Sequence, residues 1–272
     1  YAGICAPNIQ NNSDAYFHQT SIKEITAFLL SSQNSCAVVI SGTNATPTVT
    51  TQGNKTIPHS TPFILTANGT DANNQNSLTY TWEQTNTNQS STQPPVATST
   101  TGPNYRSLAP TASSSRSFPA AATVLQGATD ASGIVTSKWE RTPTVARNMK
   151  FSVTVRDNNA LNGGQTASAD ATITFANVGP FLITSPNNIT STQEPTWAYN
   201  SSKTITWNVA GTTGNGINTA NVNILLSTDN GETYTTLAAN TPNDGNETIT
   251  VPSLTNSSLN CRIKIEAVGN IF

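Results

Sequence analysis

The sequence predicts a mainly β protein, with two β-sandwiches in tandem behind a short helical segment. Three observations carry this reading. First, short runs of alternating apolar and polar residues recur: Phe63/Leu65/Ala67, Leu78/Tyr80/Trp82, Phe151/Val153/Val155, Ala171/Ile173/Phe175, Ile205/Trp207/Val209 and Val222/Ile224/Leu226. Period two is the signature of strands with one buried face. Second, turn-forming pairs punctuate them at Asn68-Gly69, Asn215-Gly216, Asn230-Gly231 and Asp244-Gly245. Third, Ser, Thr and Asn make up roughly two fifths of the 272 residues, whereas only 10% are charged, against about a quarter in ordinary domains. Neutral polar groups then supply solubility, as in secreted all-β proteins.

The first segment differs from the rest. Ser21-Ile22-Lys23-Glu24 fits a capping box, in which the Ser hydroxyl takes the amide three residues on and the Glu reaches back. Ile22, Ile25, Phe28 and Leu29 follow at three- and four-residue spacing, predicting an amphipathic helix over about 21–31. Such a short helix is marginal alone and needs a body to pack against. Cys5 and Cys36 bracket it and read as a disulfide, which could contribute roughly 3–4 kcal/mol by closing about thirty residues. Two buried free thiols are the alternative. Ala37-Val38-Val39-Ile40 then reads as a strand or a link into the first sandwich.

The first sandwich spans residues 37–177, with Trp82 filling the space between its sheets. Residues 85–148 form an excursion rich in Ser, Thr, Ala and Pro. A structureless loop of that length is unusual inside a domain. Tyr105, Phe118, Val124, Leu125, Ile134 and Trp139 are therefore expected to pack over one edge of the sandwich. Val178-Gly179-Pro180 is the second boundary. A second sandwich follows over 178–272, adding Ile249/Val251 and Ile263/Ile265 to the alternating pairs. After the strand CRIKIEA only a Gly-Asn turn signal, Ile271 and Phe272 remain. The natural protein is thus expected to extend further, leaving an open edge there. Cys261 reads as a buried thiol within that strand.

YAGIC, NIQNNSDAYFH and the amphipathic SIKEITAFL together resemble the region just past the Met-turn of secreted bacterial zinc metallopeptidases of the reprolysin-like metzincin group. The alternating stretches TPFILTANGTDANNQNSLTYTWEQ and VTVRDNNALNGGQTASADATITF resemble immunoglobulin-like domains of the PKD and cadherin type. FLITSPNN, TWAYNSSKTITWNVAGT and NVNILLSTDNGETYTTLA resemble the carboxy-terminal immunoglobulin-like module of the same peptidases. The resemblance implies two tandem immunoglobulin-like sandwiches behind a remnant of a peptidase domain, residues 1–36. It implies that Tyr1, Ala2, Gly3 and Ile4 form a wall of the specificity pocket, and that the missing catalytic domain packs on residues 1–36. Zinc belongs to the parent enzyme and is not ligated by this chain, whose sequence has no H-E-x-x-H to supply two ligands and a general base. A protein or peptide substrate and an extracellular or cell-surface location follow for the parent. An adhesion or surface-filament module with no protease origin is the alternative.

Composition excludes other classes. A net charge of -2 with 12 Lys and Arg gives no basic patch for nucleic acid. No run approaches the eighteen apolar residues of a membrane span. Two histidines, His18 and His59, cannot build a His-rich catalytic zinc site; His18 reads as a local hydrogen-bonding residue. Ser227 to Tyr234 fits the Asp-box pattern S-x-D-x-G-x-T-W/Y, with Asp229 expected to bond the amides of its own turn. The oxygen-rich turns at Asp71, Asn73, Asn74, Asn76, Asp157, Asn158 and Asn159 suit ordinary Asx turns or a weak calcium site, since calcium takes six to eight such oxygens.

Overall fold

The structure is a computed structural model that describes residues 14–32, 38, 42–73, 77–88, 94–127, 140–161, 163–186 and 195–272. It is mainly β. In the N-terminal half, β1 (Thr48–Thr51), β3 (Phe63–Thr70) and β5 (Ser115–Phe118) form one sheet in the order β1-β3-β5. The second sheet runs β2-β7-β6-β4, from β2 (Lys55–Pro58), β7 (Thr166–Ala176), β6 (Arg147–Arg156) and β4 (Thr79–Gln84). All its pairs are antiparallel except β2 with β7. In the C-terminal half, β12 (Asn246–Thr250), β9 (Ser202–Asn208) and β8 (Leu182–Ser185) make one sheet. β11 (Thr235–Pro242), β10 (Asn221–Ser227) and β13 (Arg262–Ala267) make the other.

The expected alternation sets the buried faces. Phe63, Leu65 and Ala67 of β3 point inward, as do Phe151, Val153 and Val155 of β6 and Ala171, Ile173 and Phe175 of β7. Their centre is aromatic. Phe63 stacks on Phe118 with ring centroids 5.1 Å apart and receives the edges of Phe151, Phe175 and Tyr105. Each such pair contributes about 0.5–1.5 kcal/mol beyond area burial. Trp82 is buried as expected, and its indole N–H donates to the Ser114 carbonyl at 3.0 Å. In the C-terminal half Ile205, Trp207, Val222, Ile224 and Ile249 are buried, and the Trp207 indole N–H donates to Asn243 Oδ1.

Several expectations need correction. The excursion over 85–148 is not confined to one edge: it supplies β5 to the first sheet and places Phe118 and Tyr105 in the middle of the core. Val124 and Leu125 lie half-buried on the short helix α2 (Ala121–Leu125), while Ile134 and Trp139 lie outside the described residues. Asn68-Gly69 is not a turn. Both residues continue β3, and Gly69 is required because the Tyr80 ring lies over it, with its hydroxyl 2.5 Å from where a Cβ would stand. The glycines of the other three expected turns, Gly216, Gly231 and Gly245, do take positive φ. Val38 is exposed and in no strand; Ala37, Val39 and Ile40 lie outside the described residues. Cys261 is exposed and precedes β13 rather than lying buried within it. β13 pairs with β10 alone.

Where the chain passes between the halves, backbone approach leaves no space for a side chain. The His59 N–H donates to the Val178 carbonyl at 2.8 Å, and the Phe181 N–H to Thr61 Oγ1 at 3.0 Å. Gly179, at φ 144°, sits so close that a Cβ would stand 2.1 Å from the His59 carbonyl oxygen. Gly179→Ala must therefore push these strands apart and strain its own backbone. It should cost about 3 kcal/mol or more, read as a lowered thermal unfolding midpoint.

Candidate functional site

The outer face of the second sheet is polar by alternation and buried all the same. Across the β4–β6 pair, Thr81 lies opposite Thr154 and Glu83 opposite Ser152, and all four are buried. A carboxylate in such a place requires donors, because an unpaired buried charge costs several kcal/mol. The N-terminal segment supplies them.

The helix α1 (Gln19–Leu29) is the element that brings those donors. His18 Nδ1 lies 2.6 Å from Glu83 Oε1, and the Gln19 N–H donates to Glu83 Oε2 at 2.7 Å. An ionised carboxylate can only accept, so a proton on Nδ1 completes this bond. Arg156 at the end of β6 completes the attachment, donating to Thr81 Oγ1 at 2.8 Å and to the Phe17 carbonyl at 2.7 Å. Burial lowers the Arg156 pKa, and the Glu83 charge opposes that shift. Tyr16 adds a 2.7 Å bond to Ser107 from the excursion. His18 is thus a hydrogen-bonding residue, as expected, although its partner is 65 residues away.

This geometry displaces the predicted capping box. α1 begins at Gln19, two residues ahead of Ser21, with His18 as N-cap and no side-chain cap bond from that residue. Glu83, from a distant strand, takes the first amide instead and places a negative charge at the positive end of the helix dipole. The helix also ends earlier than expected, at Leu29. Ile22 is half-buried, and from Lys23 to Leu29 every residue of the helix is exposed, polar and apolar alike. Ile25, Phe28, Leu29 and Leu30 are all exposed, Phe28 at 53%, and no residue of α1 is fully buried.

Beside this seat the excursion is tied down by charge. Arg116 of β5 donates to Glu140 Oε1 at 2.9 Å, to the Trp82 carbonyl at 2.5 Å and to the Arg106 carbonyl at 2.7 Å. Its guanidinium lies 4.4 Å from the Phe118 ring centroid. The second Glu140 oxygen accepts the Ala120 N–H. Burial lowers the Arg116 pKa, and Glu140 opposes the shift. Among the described residues Arg147 has no carboxylate partner. It holds the carbonyls of Ser99 and Gly102 and the Asn104 side-chain oxygen, which fixes the loop over 99–104. A polar cleft of about 450 Å³ opens here, and among the described residues Arg147 and Lys150 are its charged lining.

The remaining candidate residues fall as follows. Tyr1, Ala2, Gly3, Ile4, Cys5 and Cys36 lie outside the described residues, as do Asn74 and Asn76. Asp71 accepts the Asn73 N–H at 2.9 Å in an Asx turn. Asp157 is buried, and N–H donors converge on its carboxylate: the Asn159 and Gln165 amides on Oδ1, and Asn44 Nδ2 on Oδ2 at 2.5 Å. Asn158 reaches across to the Ser77 carbonyl, so the β3–β4 and β6–β7 loops stand side by side. His59 bonds Ser60 Oγ, far in sequence from His18. Among the described residues, no three or more His, Cys, Asp and Glu side chains are grouped to hold a metal.

The Asp-box stretch behaves as expected of a structural turn. Asp229 Oδ1 accepts the amides of Glu232 and Thr233 and the Ser227 hydroxyl, and Oδ2 accepts the Thr233 hydroxyl. Gly231 packs under Leu125 of α2. The arrangement joins the turn to the other half of the molecule.

No protein-family model matches the chain. Comparison with curated proteins and with solved structures likewise gives no match.

Two outcomes follow from these bonds. Glu83→Ala removes the acceptor for both His18 and the first helical amide and should cost about 2–3 kcal/mol, while Glu83→Gln, which keeps an acceptor, should cost less. Hydrogen exchange over 19–29 reads it; equal exchange in Glu83→Ala and parent would show that Glu83 does not hold the helix. The second concerns Asp229, whose pKa falls from 3.8 to about 2, chiefly through the Thr233 hydroxyl bond. A depressed folded-state pKa stabilises above the unfolded value and is lost as pH falls through the folded one. The turn should therefore loosen between about pH 4 and pH 2, and Asp229→Asn should remove that dependence. An NMR titration of the Asp229 carboxyl with a midpoint near 4 would contradict it.

Proposed function

We propose that this chain is the non-catalytic C-terminal portion of a secreted bacterial zinc metalloendopeptidase of the reprolysin-like metzincin group. Residues 1–36 are the stretch after the Met-turn, and 37–177 and 178–272 are two immunoglobulin-like accessory sandwiches. The resemblance of YAGIC, NIQNNSDAYFH and SIKEITAFL gives the reading its family. The observation that carries it is the manner in which α1 is held. Its polar start is fixed to the first sandwich through Glu83 and Arg156, while Ile25, Phe28 and Leu30 face outward. A short helix fastened at one end with its apolar row exposed suits a joint between two bodies. The catalytic domain covers that row on this reading. The zinc, its general base and the scissile bond belong to that domain, and Tyr1 to Ile4 lend it one wall of the specificity pocket.

The rival reading, an adhesion or surface-filament module, gives no purpose to a helix fixed in this way. The disulfide between Cys5 and Cys36 belongs to the proposal as a tie around the same helix.

The decisive test is genetic and physical together. The reading frame upstream of Tyr1 should encode H-E-x-x-H-x-x-G-x-x-H, and a frame without it would leave the adhesion reading in possession. The upstream domain, produced separately, should bind this chain. Phe28→Asp, at a position already exposed, should leave the chain folded and weaken binding at least about tenfold, measured by calorimetric titration.

A further inference from the structure

The segment over 269–272 belongs to the C-terminal half by sequence, yet its bonds run to the other half. Gly269, at φ 77°, reverses the chain after β13. Asn270 Nδ2 then donates to the Thr56 carbonyl on β2 at 2.9 Å, and the Ile64 N–H at the start of β3 donates to the Ile271 carbonyl at 2.8 Å. Lys55 Nζ reaches the Gly269 carbonyl at 3.0 Å. The same four residues stay bonded to their own half. The Ala267 N–H donates to the Phe272 carbonyl at 2.8 Å, and Asn270 Nδ2 also lies 3.4 Å from the Ile217 carbonyl. Ile271 and Phe272 are buried, and the Phe272 ring meets Phe181 edge-on at 5.2 Å.

From these bonds we infer that residues 269–272 are a clasp that makes the two halves fold and unfold as one unit. The inference does not depend on the peptidase reading. Two β bodies joined by one covalent crossing ordinarily move independently unless their shared surface is large and apolar. Here one apolar core runs through both, from Phe63 and Phe175 to Phe181, Ile271 and Phe272 on to Ile224 and Ile249. The clasp adds to the Leu125–Gly231 contact, using the residues after β13 to occupy the Thr56 carbonyl and the Ile64 amide at the edge of the other half. β2 and the start of β3 would otherwise present those groups unpaired. A rigid pair transmits force and orientation from one end to the other; a loose pair does not.

Cooperativity distinguishes the two. The full chain should melt in one transition, with calorimetric and van't Hoff enthalpies equal. In Ile271→Ser/Phe272→Ser two transitions should separate, and the Ile64 amide should exchange at least about tenfold faster relative to the Val153 amide in the β4–β6 ladder. Asn270→Ala removes only a surface-side bond to each half and keeps the core. It should raise Ile64 exchange about three- to tenfold, again with Val153 unchanged, and it decides the matter if the double variant does not fold. Two transitions in the parent chain would overturn the clasp. So would Ile64 and Val153 amides that accelerate in equal proportion in Asn270→Ala, or an Ile64 amide left at the parent rate.

Discussion

A sheet face that carries charge and is shut off from water dictates much of what surrounds it. On β4 and β6 the residues that alternation turns away from the aromatic core are Thr81, Glu83, Ser152 and Thr154, and none of them reaches solvent. Desolvating the Glu83 carboxylate is tolerable only because donors are fixed against it. The His18 ring, the first amide of α1 and the nearby Arg156 charge fill that need. The N-terminal segment is therefore anchored by polar necessity rather than by its own apolar face. The same rule governs Arg116, whose guanidinium shares Glu140 with the Ala120 amide, and so the excursion is tied to the sheet by the charge it buries.

These polar ties leave little freedom in how the aromatic core is assembled. Phe118 reaches Phe63 only because β5 pairs with β3, and β5 is held in place from behind by Arg116 bonding the Trp82 carbonyl. Tyr105 enters from the excursion with its hydroxyl bonded to Thr142, and burial raises its pKa. Packing and hydrogen bonding specify the same arrangement, the consistency expected of a well-determined fold.

What could be read from the sequence and what could not divide along a physical line. Alternation placed Phe63, Leu65, Trp82, Phe151, Ile173, Ile205 and Ile224 in the core, because period two reports the inward face directly. The same periodicity assigns Thr81, Glu83 and Thr154 to solvent, and there it fails, since nothing local announces that a second layer will cover the outer face. The capping box at Ser21 is a valid local pattern overruled by a better acceptor 64 residues away. Gly69 follows Asn68 and reads as a turn, but its small size serves the Tyr80 ring. Arg116 and Glu140 lay in a stretch of Ser, Thr and Pro with no period to mark them. Their only visible signal was charge in a chain where charge is scarce. Cys261 stands just ahead of its strand, so one residue of boundary error turned a buried thiol into an exposed one. The Asp229 bonds of the Asp-box turn were legible because all their partners lie within four residues.

The exposed row on α1 is the feature the energetics of this chain alone do not explain. Eleven residues make a marginal helix, and the usual remedy is to bury the apolar side. Here the helix is instead secured at its N-terminus, where a carboxylate satisfies an orphan amide and meets the dipole, and Ile25, Phe28 and Leu30 are left in water. Exposing three large apolar side chains forgoes about 1.5–3 kcal/mol each relative to full burial. Together that exceeds the roughly 2–3 kcal/mol that the Glu83 anchor supplies. The polar residues Lys23, Glu24 and Thr26 are exposed as well, so the helix stands clear of the sheet beyond its first turn. The anchor fixes the start of the helix against the second sheet, through Glu83 of β4 and Arg156 of β6. Hydrogen bonds at its first turn, and not its apolar side chains, hold α1 to the body.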